Sequence, residues 1–122
     1  MAPRKKKDEV TEVTEPEKPE SIEIPDKAVL IRMLQKALGV SDRGSYDHYT
    51  NTVMKGAYLL KGMEGELVNA VQMLLVSNGY EAAVTGIFDD VTEKAVKEVQ
   101  KKIGVEATGI ADDVVVKHLC VD

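Results

Sequence analysis

The sequence predicts an all-α protein, a compact bundle of about five short helices behind a disordered N-terminal arm. Three observations predict it. Apolar residues recur at the three- and four-residue spacing of helices rather than in strict alternation. Glycines and aspartates stand at the ends of those runs, where helices close and open. All four prolines (Pro3, Pro16, Pro19 and Pro25) fall within the first 25 positions, so none interrupts the helical pattern that follows.

The arm, residues 1–25, runs from the basic cluster Arg4-Lys5-Lys6-Lys7 into a stretch rich in Glu, Thr and Pro. Its large apolar residues are Val10, Val13, Ile22 and Ile24, too few to offset the entropy of ordering it. Asp26 then stands as the N-cap of a helix over Lys27 to Leu38, with Val29, Leu30, Met33, Leu34, Ala37 and Leu38 at helical spacing and Gly39 as its C-cap. Val40 to Ser45 reads as a loop. A second helix, roughly His48 to Leu60, turns Tyr49, Val53, Met54, Ala57 and Leu60 inward. Gly62 and Gly65 break the chain before a third helix, about Glu66 to Ser77, that carries Leu67, Val68, Val71, Leu74 and Leu75 and stops at Asn78-Gly79.

Tyr80 to Phe88 is a loop in which Ala82, Ala83, Val84 and Thr85 can form a short extended piece. The fourth helix starts at Asp89 or Asp90, and Asp90 followed by Glu93 fits a capping box. Val91, Ala95, Val96, Val99 and Ile103 share one of its faces. Lys94, Lys97, Lys101 and Lys102 take the other face or the C-terminal end, where cations suit the helix dipole. Gly104 ends that helix, and a last one follows Asp112 with Val115, Val116 and Leu119 as its apolar side.

The helical part also divides in two. From Gly44 and from Gly86 the chain aligns with itself without a gap, pairing Tyr46 with Phe88, Asp47 with Asp89, Thr50 with Thr92, Lys55 with Lys97 and Gly62 with Gly104. Upstream, the run from Leu30 lies beside the run from Leu67 and sets Gln35 opposite Gln72, with a shorter loop in the first copy. Residues 26–65 are therefore expected to be a degenerate first copy of 66–122, the two burying each other's apolar stripes.

Composition excludes several function classes. A net charge of −5 opposes nonspecific nucleic-acid binding, which depends on neutralising phosphates. Glu98 to Leu119 has a helix-turn-helix look, but the helix that would enter a groove opens on Asp112-Asp113 and offers only Lys117 as a base. No run approaches the roughly 20 apolar residues that span a bilayer, so no membrane partner is expected. The basic start leads into acids rather than an apolar stretch, from which synthesis and initial residence in a cytoplasm are expected. Cys120 is the single cysteine, which rules out an internal disulfide framework, and with His48 and His118 it falls short of a metal-ligand set. No nucleophile–base or paired-carboxylate arrangement stands out, so the expected protein has no catalytic residues, no metal and no cofactor.

One stretch carries a family pattern. Asn78-Gly79-Tyr80, Gly86-Ile87-Phe88, Thr92, Ala95-Val96, Gln100, Gly104-Val105, Thr108-Gly109, Asp112 and Leu119 follow one another at the spacing of the peptidoglycan-binding domain family, which residues 67–119 resemble. These are small three-helix modules attached to bacterial amidases, carboxypeptidases and phage endolysins. Thr85 and Asp89 stand where the family usually has Asp and Gly, and Val99 and Val116 where it has Phe and Trp.

The resemblance implies a non-catalytic module that binds peptidoglycan or its stem peptides, encoded by a phage and released to the wall at lysis or carried in the virion. Tyr80, Thr85, Phe88, Asp89 and Thr92 form its candidate ligand groove, since backbone N–H groups at a helix start favour the carboxylates of stem peptides. The same residues admit a purely structural reading, with Phe88 as a core plug and Asp89 or Asp90 as a cap. The alternative function is a virion structural or adaptor protein that keeps the fold for protein–protein contacts and meets other virion proteins through the arm.

Overall fold

A computed structural model describes residues 24–121. The arm expected over 1–25 lies outside the described residues except for its last two, of which Ile24 packs against the core. Five helices follow: α1 (Lys27–Leu38), α2 (His48–Gly56), α3 (Glu66–Ser77), α4 (Asp90–Ile103) and α5 (Asp113–Val121). The expected all-α bundle is what the chain forms. Its β-like features among the described residues are two isolated antiparallel bridges, Leu59 with Ala111 and Glu64 with Ile87.

The bundle is arranged around α3, which touches α1, α4 and α5, while α2 touches α1 and α5. The sequence accounts for that position. α3 carries Val68, Ala70, Val71, Leu74 and Leu75, all essentially without solvent contact, so it is apolar around most of its circumference. By contrast α4 buries one face through Ala95, Val96 and Val99 and keeps its lysines outward. One continuous core joins Leu30, Ile31 and Leu34 of α1, Met54 of α2, these residues of α3 and α4, and Val115, Val116 and Leu119 of α5.

Helix ends follow the glycines and aspartates, with two differences. Gly39 and Gly104 close α1 and α4 in the left-handed conformation. Asp26, expected to cap α1, makes no side-chain bond there; its backbone carbonyl alone accepts from Leu30 N. At α4 the cap is Asp89, whose carboxylate accepts from Thr92 N, and the Asp90–Glu93 capping box does not form. Asp90 instead pairs with Lys61 across the connection from the first half.

The largest departure is α2, which ends at Gly56 rather than near Leu60. The chain leaves the helix because Leu59 exchanges two backbone hydrogen bonds with Ala111, at 3.0 and 2.8 Å. That bridge turns Leu59 into the core and leaves Leu60 38% exposed. Tyr49 and Val91, both expected inward, are exposed, because the very next residue, a buried threonine (Thr50 and Thr92), takes the inner position in each case. Ala82 to Thr85 forms no strand; the pairing falls on Ile87 and Glu64.

Three buried glutamines tie the loops to the helices. Gln35 Oε1 accepts from the backbone N–H of Arg43 and Gly44, at 2.8 and 3.1 Å, and its Nε2 donates to Ser45 O and Thr50 Oγ1. Gln72 does the same for Thr85 N, Gly86 N, Ile87 O and Thr92 Oγ1, all at 2.9 Å. Gln100 accepts from Gly109 N and donates to Thr108 Oγ1 and Ile110 O. Gly109 is required by close approach as well as by its φ of 82°, since a Cβ there would lie 2.8 Å from Glu93 Cγ.

Buried amides with every partner in place hold a loop, whereas removing one strands several polar groups at about 1–3 kcal/mol each. Replacing Gln35 by Leu is accordingly expected to destabilise the domain by about 2 kcal/mol or more, with Gln35→Glu intermediate because it keeps the acceptor oxygen. Urea denaturation monitored by helical circular dichroism measures both.

Candidate functional site

The expected groove lies in the turn from Thr85 into α4, and Gln72 builds it from below. With its oxygen taken by Thr85 N and Gly86 N, the carboxamide can present only N–H to Ile87 O and Thr92 Oγ1. Thr85 Oγ1 in turn accepts from Ile87 N at 3.1 Å. Phe88 follows with its ring in the core, 1% exposed, and its backbone paired to Met63 O and Gly62 N at 2.8 and 3.0 Å. Burying that ring contributes roughly 1.5–3 kcal/mol, ample reason for an aromatic at this position.

Asp89 Oδ1 then accepts from both Thr92 N and Thr92 Oγ1, at 2.9 and 2.8 Å. The Thr92 hydroxyl thus donates to Asp89 and accepts from Gln72, and it is fully buried. Thr85, Phe88, Asp89 and Thr92 lie along one turn: Phe88 and Thr92 are buried, Asp89 is half-buried and Thr85 is exposed. Tyr80 sits apart at the end of α3, its N–H on Leu75 O. Its ring packs against the core and its hydroxyl is buried without a hydrogen-bond partner among the described residues.

The first half repeats this chemistry. Asp47 Oδ1 accepts from Thr50 N and Thr50 Oγ1 at 2.9 and 2.7 Å, and Gln35 donates to the same threonine hydroxyl. Arg43 adds a bond to Asp47 Oδ2 at 2.9 Å, and its guanidinium lies over the exposed Tyr49 ring. Hydrogen bonds from Thr50 above all, then Arg43, hold the Asp47 carboxyl down at about 2; those from Thr92 lower Asp89 in the same direction.

Open clefts lie elsewhere. One of about 500 Å³ separates α2 from α5 and is lined by Asn51, Lys55, Ile103, Asp113, Val114, Lys117, His118 and Val121. Another, of about 340 Å³, opens beside Gly39, Ser41, Arg43 and Tyr49 at the end of α1. Sequence reasoning missed the first cleft, although Val114, Lys117, His118 and Val121 stand at i, i+3, i+4 and i+7 on α5 and so form a second stripe opposite the buried one.

Burial pushes the Cys120 thiol up to about 12, so it is protonated near neutral pH and a poor nucleophile. Among the described residues no group of three or more His, Cys, Asp or Glu is placed to hold a metal ion. No described helix is long and apolar enough to cross a membrane.

Comparison with known proteins identifies one relationship. Residues 64–119 match the family described as "Putative peptidoglycan binding domain". No curated protein and no solved structure matches the chain. The matched segment contains α3, α4 and α5 and leaves α1 and α2 outside it. Within it, Val99 and Val116 are completely buried. Valine at those two positions fills the core.

The two capping carboxylates set the acid response. Both have folded-state values below the ordinary 3.8, so their stabilisation is complete above that value and is lost as pH falls below it, for Asp47 through about 2. The thermal midpoint is expected to drop across this window. Asp47→Asn and Asp89→Asn, compared with the parent by scanning calorimetry at several pH values, should each lower stability at neutral pH and flatten the acid limb.

Proposed function

We propose that this protein is a non-catalytic module that holds itself, or an attached partner, against peptidoglycan. The premise is that residues 64–119 carry a peptidoglycan-binding domain, which supports a cell-wall binding role. The observation that carries the reading is the burial of Val99 and Val116. The two departures from the family's aromatics change core volume and leave the surface of the matched segment as the fold presents it.

Residues 26–65 are read as a degenerate first copy that completes the core. Support comes from matching bonds: Gln35, Asp47 and Thr50 make the contacts that Gln72, Asp89 and Thr92 make. A phage product, released at lysis or carried in the particle, fits the family's occurrence in endolysins. The absence of an enzymatic role rests on the inert Cys120 thiol and on a turn whose polar side chains are committed to the fold.

That same commitment favours a second reading, a virion structural or adaptor protein that retains the fold for protein–protein contacts. Phe88, Asp89 and Thr92 are spent internally and offer a ligand little. In this reading the basic and acidic arm meets a neighbouring virion subunit.

Co-sedimentation with purified sacculi separates the two. The wall reading expects the full chain in the pellet at low and moderate salt, and a protein that stays in the supernatant at both defeats it. For the adaptor reading, deletion of residues 1–25 is expected to reduce incorporation into the particle, measured by quantitative blotting of purified virions; unchanged incorporation removes the arm from that role.

A further inference from the structure

The cleft between α2 and α5 has the composition of a ligand site and belongs to neither half alone. α2 supplies Asn51 and Lys55; the end of α4 supplies Ile103; α5 supplies Asp113, Val114, Lys117, His118 and Val121. Its volume of about 500 Å³ falls within the 300–1,000 Å³ common for small-ligand pockets. Asn51 is held in place by the Tyr46 hydroxyl, which donates to Asn51 Oδ1 at 2.9 Å.

The second stripe on α5 needs an explanation that the fold does not provide. Val115, Val116, Leu119 and Cys120 satisfy the core, yet Val114 and Val121 stay 46% and 60% exposed on the opposite side. Between them Lys117 projects toward the same cleft as Lys55 of α2. Neither lysine has an ion-pair partner among the described residues, in a chain whose net charge is −5. Two ammonium groups outnumber the one carboxylate, Asp113, that lines the cleft, and with the aliphatic walls they fit a short peptide with small aliphatic side chains and free carboxylates. No Phe, Tyr or Trp side chain is among the lining residues, so the cleft lacks the broad apolar face on which a sugar stacks.

We propose that this cleft binds the carboxylate-bearing peptide stem of peptidoglycan, with Lys55 and Lys117 pairing to its carboxylates and Ile103, Val114 and Val121 packing on its aliphatic part. The proposal rests on the wall-binding reading and adds to it the chemistry recognised and the place. It also gives the first half a function, because α2 contributes one of the two cations.

The test uses the full chain, a synthetic stem peptide, intact sacculi and sacculi stripped of stem peptides by an amidase. Backbone amide shifts on adding the peptide are expected to concentrate at Asn51, Lys55, Val114, Lys117 and Val121. The double variant Lys55→Glu/Lys117→Glu, at two exposed positions that leave the core intact, should weaken peptide binding at least about fivefold and bring sacculus retention down with it. Stripped sacculi should retain the parent poorly. Equal retention of parent and double variant on intact sacculi, or undiminished binding to stripped sacculi, overturns the cleft while leaving wall binding in place. Failure of the parent to bind sacculi at all removes both. A concentration-dependent dimer in analytical ultracentrifugation that Val114→Asp dissociates reassigns the cleft to a second copy of the chain and overturns the proposal.

Discussion

Three buried carboxamides are the constraint on which the rest of the molecule depends. Gln35, Gln72 and Gln100 are 0–2% exposed, and each sits on a helix face that would otherwise be apolar. A glutamine in that position is costly unless all its hydrogen-bonding capacity is used, and here loop backbone uses it. The loops before α2, α4 and α5 are consequently held from inside the protein rather than by their own local turns. Once they are held, Asp47, Asp89 and Asp112 reach the first N–H groups of the following helices, and the helices start where the loops end.

That arrangement ties the turn from Thr85 to Thr92 to α3. Gln72, Thr92 and Asp89 Oδ1 bond to one another and to the turn's backbone, while Thr85 stays exposed. Surface chemistry is displaced to places the network does not reach. The α2–α5 cleft joins both halves and presents Lys55 and Lys117, which have no ion-pair partner among the described residues of an acidic protein. The role of the first half is then larger than filling out a core: it closes one wall of the cleft.

Most of the fold was legible because its signals are local. The bounds of α1 and α3 follow from apolar spacing and from the glycine or asparagine at their ends, and no distant contact alters them. The run after Gly56 was illegible for the opposite reason. Leu60 continues the helical spacing, but the backbone bond between Leu59 and Ala111 joins residues half the chain apart and overrides it. Tyr49 and Val91 were misplaced because threonine reads as a surface residue, whereas here Thr50 and Thr92 are buried with both hydroxyl roles filled.

The sequence by itself determined the class of fold, the order of the helices, the bounds of α1 and α3, and the family pattern over residues 67–119, since each depends on spacing along the chain. It also set Gln35 beside Gln72, without revealing what they bond. Tertiary structure alone decided which polar residues go inside, that Val99 and Val116 are core, and that Lys55 and Lys117 face one cleft. Those facts depend on distances through space between segments far apart in the chain, and periodicity carries no information about which face of one helix meets which face of another.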